Sequence, residues 1–155
     1  MLSKVEEERV NKMGLAASQT RILQLNSRKS DLEFQGQQVN QQRTILADQT
    51  ETFYNQILAL EVPNAQENPI TYVNNVATND SDGDGVSNAY EVALVAYSAE
   101  YNKINAQIEL IHQQDRALET TLKNIDTQHQ AVQTEIESVK KVIDKNIEFT
   151  YKTFQ

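Results

Sequence analysis

The 155-residue sequence contains no cysteine and no tryptophan, only 2 prolines and 4 glycines, and 6% aromatic residues. Without cysteine there is no disulfide, no thiolate nucleophile and no zinc–thiolate site, and the redox compartment stays open. Scarce helix breakers, abundant Gln and Asn, and a mean hydropathy of -0.60 describe elongated helices better than a globule. No apolar run approaches the roughly 20 residues that a membrane span needs. The opening stretch Met1–Val10 is charged, which predicts neither a cleaved secretory signal nor an anchor. Basic residues are also few: 14 Lys and Arg stand against 22 Asp and Glu, a net charge of -8 with a pI near 4.7. Nucleic-acid binding needs clustered Lys and Arg, so neither a nucleic acid nor an anionic membrane is an expected partner. No Ser, His and Asp constellation, glycine-rich phosphate loop or pair of buried carboxylates is visible, so no enzyme is expected.

What is present is seven-residue periodicity. Leu25, Leu32, Val39, Leu46, Phe53 and Leu60 recur at intervals of seven, the mark of a helix that keeps one seam toward a partner. The complementary column (Lys29, Gly36, Arg43, Thr50) is polar or small until Ile57. Alongside runs a row of glutamines, Gln35, Gln42, Gln49 and Gln56, read as a solvated face. Leu15 and Ile22 keep the spacing on a different stripe, which suggests a change of phase. Met13–Ser18 matches a myristoylation pattern, but it is internal and void unless Met13 is the start.

A second series is fuller. Steps of four and three run through Tyr97, Tyr101, Ile104, Ile108, Ile111, Asp115, Leu118, Leu122, Ile125, His129, Val132, Ile136, Val139 and Ile143, then slip into Ile147, Tyr151 and Phe154. Of the polar interruptions, Asp115 is expected to pair with a basic residue of the facing helix, Arg43 being the candidate. His129 is read as a core position that specifies register, with no carboxylate or second histidine placed to complete a site. His112 lies off the seam and is read as solvated.

Val62-Pro63 and Pro69 should end the first helix. Ile70–Val73 is a candidate short strand, and Asn74 and Asn75 supply turn chemistry. The expected fold class is therefore all-α: one domain, 1–155, an elongated antiparallel helical hairpin with a first helix over 2–60, an irregular connection over 61–86 and a second helix over 87–153. The broader seam of the second helix leaves apolar surface that the first cannot cover, which favours self-association.

The connection carries the one sharp chemical signal, Asp80-Ser81-Asp82-Gly83-Asp84-Gly85-Val86-Ser87-Asn88-Ala89-Tyr90-Glu91. Hard divalent cations take six to eight oxygens, and a twelve-residue loop supplies them from positions 1, 3, 5, 7, 9 and 12. Those positions are Asp80, Asp82, Asp84, the Val86 carbonyl, Asn88 through a water, and Glu91, with Gly85 at the sharp turn. The competing reading is a solvated turn in which Asn88 and Glu91 cap the following helix. The stretch resembles the EF-hand loop and, more closely, dockerin and thrombospondin type 3 repeats, in which the site is a loop plus one exiting helix. The resemblance covers about a tenth of the chain and implies Ca2+ as the bound ion.

These features predict a structural, self-assembling helical subunit whose partner is itself and whose turn is ordered by calcium. In plan it resembles secreted helical subunits of bacterial filaments, such as the flagellin core or type III secretion filament proteins. That likeness implies an extracellular or cell-surface location reached without a cleaved signal. The alternative is a cytoplasmic coiled-coil adaptor or prefoldin-like chaperone. A third reading is a calcium sensor that exposes a groove.

Overall fold

A computed structural model describes residues 4–153. Two long helices, α1 (Lys4–Ala59) and α2 (Asn88–Thr153), pack against each other as a helical hairpin and are joined by a connection with one short β-hairpin. Helix α1 ends where the Leu60 amide reaches back to the Ile57 carbonyl at 3.2 Å, three residues before Pro63. Among the described residues no helix is long and apolar enough to cross a membrane. The expected helix start at residue 2 and the position of Phe154 lie outside the described residues.

The chain divides into two compact units, residues 1–42 with 117–155 (unit 1) and residues 43–116 (unit 2). In unit 1 the core is Leu25, Leu32 and Val39 of α1 with Ile125, Val132 and Ile136 of α2, flanked by Leu118, Leu122 and Val139. The pairing is antiparallel: Arg21 pairs with Glu135, Glu33 with His129, and Gly36 faces Leu122 and Ile125. A Cβ on Gly36 would lie 3.8 Å from Ile125 Cγ2, an ordinary contact distance, so the position has room for an alanine.

Several sequence expectations are refined here. Leu15 and Ile22 are half-buried in the same column as Lys29, Gly36, Arg43 and Thr50, with no change of phase. The spacing of seven is unbroken from 15 to 57, and the polar residues in the column hid that continuity. The α2 seam does not slip to Ile147 and Tyr151. Asn146 is half-buried, whereas Ile147 is 50% and Tyr151 73% exposed. Apolar character alone misplaced those two, since 3.6-residue geometry turns them away from α1. His129 does face a carboxylate, with Nε2 3.1 Å from Glu33 Oε1. The glutamine row at 35, 42, 49 and 56 is exposed throughout.

In unit 2, Ile104, Ile108 and Ile111 are buried, and Leu46, Thr50, Phe53 and Ile57 are half-buried at seam spacing. Arg43 meets Asp115 as expected and in two-point form: Nε donates to Oδ1 at 2.7 Å and Nη2 to Oδ2 at 3.1 Å. That contact holds the Asp115 carboxyl below its ordinary range, with His112 adding a smaller pull in the same direction. His112 is half-buried rather than solvated.

The Arg43–Asp115 pair fills a seam position that apolar residues would fill better. Replacing only Asp115 with Leu leaves Arg43 without its main partner and is expected to lower unfolding stability by about 1 kcal/mol. The double replacement Arg43→Leu/Asp115→Leu should be neutral or stabilising by about 1 to 2 kcal/mol. Because the folded carboxyl titrates low, its contribution is present above the ordinary Asp range and fades as pH falls through the folded value. Thermal unfolding followed by circular dichroism at neutral and acid pH checks both signs.

Candidate metal centre

The connection builds a frame before it presents its acids. Asn64 starts a turn, its side-chain oxygen accepting from the Gln66 amide at 3.0 Å and its carbonyl from the Glu67 amide at 3.1 Å. Strands β1 (Tyr72–Val73) and β2 (Val76–Ala77) pair antiparallel, with Val73 opposite Val76. Asn74 and Asn75 have φ of 52° and 62°, the two left-handed residues that a tight two-residue hairpin needs and that Asn tolerates. The strand is two residues long and begins two residues later than the expected Ile70–Val73, because β2 supplies only Val76 and Ala77 as partners.

Asn79 ties this hairpin to the loop. Its side chain accepts from the Thr71 amide at 2.7 Å and donates to the Pro69 carbonyl at 3.0 Å, while its own carbonyl accepts from the Asn88 amide at 2.7 Å. Ser87 closes the other side: its hydroxyl donates to the Asn68 carbonyl at 2.5 Å and accepts from the Tyr90 amide at 3.2 Å. Ser87 is therefore the N-cap of α2, correcting the alternative that gave that task to Asn88 and Glu91. At 2% exposure it is the most buried polar residue described. In the sequence Asn79 reads, with Thr78, only as turn chemistry, and Ser87 is not singled out. The Ser immediately before a long helical pattern was the available signal for the second.

Within that frame the side-chain oxygens of Asp80, Asp82 and Asp84 lie within 4.8 Å of one another. Gly83 and Gly85 hold φ of 78° and 88°, conformations that Cβ-bearing residues rarely adopt, and turn their amides inward. Asp80 accepts from both, Gly83 N at 2.8 Å and Gly85 N at 3.1 Å. Asp84 accepts from the Val86 amide at 2.8 Å. Asn88 is not among the three: its Oδ1 accepts from the Ser81 amide at 3.0 Å and hydroxyl at 3.1 Å, so it acts as a clasp across the loop.

Glu91, in the first turn of α2, feels the triad. Its carboxyl is pushed above the ordinary range, chiefly by the charge of Asp82, then by burial, then by Asp84 and Asp80. The sign follows directly: its ionised form is repelled in the folded chain, so the stability it contributes at low pH is lost as pH rises through the raised value. A divalent cation held among these carboxylates would offset that repulsion. The donor set, three converging carboxylates and a fourth within their field, is all hard oxygen and fits Ca2+ or Mg2+ in kind.

No family model matches the chain, and no curated protein or solved structure is similar to it. The class is thus set by fold and site alone, a long helical hairpin that carries an acidic, cap-anchored loop at the start of its second helix.

The frame makes Ser87 a test of the loop's anchoring. Ser87→Ala removes a cap and leaves the Asn68 carbonyl unpaired, an expected loss of about 1 to 2 kcal/mol. Ser87→Thr, which keeps a hydroxyl, should recover most of it. Amide hydrogen exchange should accelerate in the Ala variant across residues 62–90 and leave the seam residues near Leu32 and Ile125 unchanged.

Proposed function

We propose that this chain is a structural, self-assembling helical subunit, without enzymatic activity, that binds Ca2+ through its connection. The observation that supports self-assembly is the start of α2. From Ala89 to Ser98 the only charged residue is Glu91, and Val92, Leu94 and Val95 are exposed at 69%, 39% and 67%. A helix apolar on all sides is normally a buried helix, and Leu58 of α1, 82% exposed, adds to the uncovered apolar surface of unit 2. Another copy of the chain is the simplest cover. The cell exterior suits the reading, because calcium there is abundant enough to keep a weak site filled.

The calcium part rests on the convergence of Asp80, Asp82 and Asp84. Glu91 completes the set when its charge is drawn in, and the Val86 carbonyl is the remaining loop ligand, with Asn88 holding the loop shut. A second reading, a cytoplasmic prefoldin-like adaptor, draws support from the β-hairpin, whose Tyr72, Val73 and Val76 are 62%, 55% and 65% exposed between two long helices. It has no use for the acidic triad.

Calorimetric titration should show calcium binding at neutral pH that weakens as pH falls and Glu91 gains its proton. Asp80→Ala/Asp82→Ala/Glu91→Ala should abolish the heat while circular dichroism still reports two long helices; total unfolding would mean that the seam depends on the loop. Size-exclusion chromatography with light scattering, run in calcium and in chelator over a range of concentrations, tests assembly. Growth to large polymers is expected, whereas a fixed small oligomer supports the adaptor reading instead.

A further inference from the structure

The charge of the chain is divided between its two units. Residues 44–102 contain nine acidic residues and no Lys, Arg or His. Unit 2, residues 43–116, consequently holds eleven acids against three bases and carries the whole net charge of -8; unit 1 has eleven of each. Unit 1 is uneven in turn. Ten of its eleven bases, but only five of its acids, fall within 4–29 and 140–153. The antiparallel pairing brings those two stretches together, where Lys4, Lys12, Glu7 and Glu8 line a groove of about 230 Å³ with Asn146 and Thr150, so the basic excess comes from the two stretches as a whole and not from the groove.

Both charged regions also expose apolar side chains. On the basic side Val10 is 60% and Met13 73% exposed, with Tyr151 at 73%. On the acidic side Leu58, Val62, Val92 and Val95 are all exposed beyond 65%. Exposed apolar side chains and charge together are what protein interfaces draw on, and here the two regions have opposite net sign.

We propose that the basic terminal part of unit 1 in one copy docks onto the acidic unit 2 of a second copy, a heterologous contact. This rests on the self-assembly reading and gives it a direction. Pairing unit 2 with unit 2 across a two-fold axis sets acid against acid with no base in residues 44–102 to relieve it, whereas the heterologous contact sets acid against Lys and Arg. A heterologous contact leaves one face open on each partner, so it extends to a ring or an open polymer. Filling the triad with one divalent cation lowers the charge of unit 2 but does not cancel it, so docking persists in calcium.

The test uses two full-length variants. One reverses the basic side, Lys140→Glu/Lys141→Glu/Lys145→Glu; the other reverses exposed acids away from the triad, Glu51→Lys/Glu61→Lys/Glu67→Lys. Circular dichroism verifies that both stay helical, and sedimentation velocity in calcium reads association. Each variant alone should associate at least about tenfold more weakly than the unmodified chain, and an equimolar mixture should regain it, because each supplies the sign the other has lost. The unmodified chain should also weaken between about 0.1 M and about 1 M salt, as the screening length falls from about 10 Å to about 3 Å. Variants that assemble alone as well as the parent, or a mixture that fails to recover, overturn this docking and leave assembly through apolar faces standing. A parent chain that is monomeric at every concentration, or that binds polylysine but not itself, overturns the second-copy assignment and the self-assembly reading together.

Discussion

Two helices of 56 and 66 residues share a seam whose sides are unequal in apolar content. On α2 the seam is built from Ile and Val, and six of its residues are buried. On α1 one column is apolar and the other reads Lys29, Gly36, Arg43, Thr50. The rest of the structure accommodates this mismatch. Gly36 faces Leu122 and Ile125 without a side chain of its own, Arg43 finds Asp115, and among the described residues only Leu25, Leu32 and Val39 of α1 become buried. Apolar area removed from water stabilises by roughly 25 cal/mol per Å², so a seam that buries one column in place of two leaves α2 with surface still to cover.

That inequality was legible because period is the most robust thing a sequence carries. The series at 25, 32 and 39 and the long series of α2 specified two helices and their facing sides, and Arg43 with Asp115 followed from opposite charges at seam positions. The continuity through Leu15 and Ile22 was missed for a physical reason: position in a column is set by helix geometry, but it was read by hydrophobicity, and Lys29 and Arg43 do not look like core. The same habit assigned Ile147 and Tyr151 to the seam, where the geometry places Asn146. Long side chains such as Lys and Arg can bury their stems in a seam and keep their heads wet.

In the connection the acids were legible and their supports were not. Asp80, Asp82 and Asp84 announce themselves by spacing and converge in the structure. Asn79 and Ser87, which hold the loop in place, do so through backbone partners at Thr71, Pro69 and Asn68. Main-chain partners leave no trace in side-chain pattern, so such contacts stay hidden until the fold is known. Asn88 adds a contact that the spacing does not announce: its oxygen accepts from the Ser81 amide and hydroxyl.

The acidic loop and the apolar start of α2 adjoin in sequence, and each limits what the other can do. Uncovered Val92 and Val95 promote association with any apolar surface, including the same segment of another copy. A stretch of 59 residues without a single base around them makes that like-with-like contact repulsive at the range of a screening length. Under the proposed docking, charge selects among the contacts that apolar area permits, disfavouring unit 2 against itself and favouring a basic surface. The loop adds a second control to the same field. Glu91 already registers the triad as a raised carboxyl, so an ion held there changes the charge next to Val92, one residue along the helix. Apolar area sets the strength of association in such an arrangement, and the acids set its partner and its sensitivity to ions.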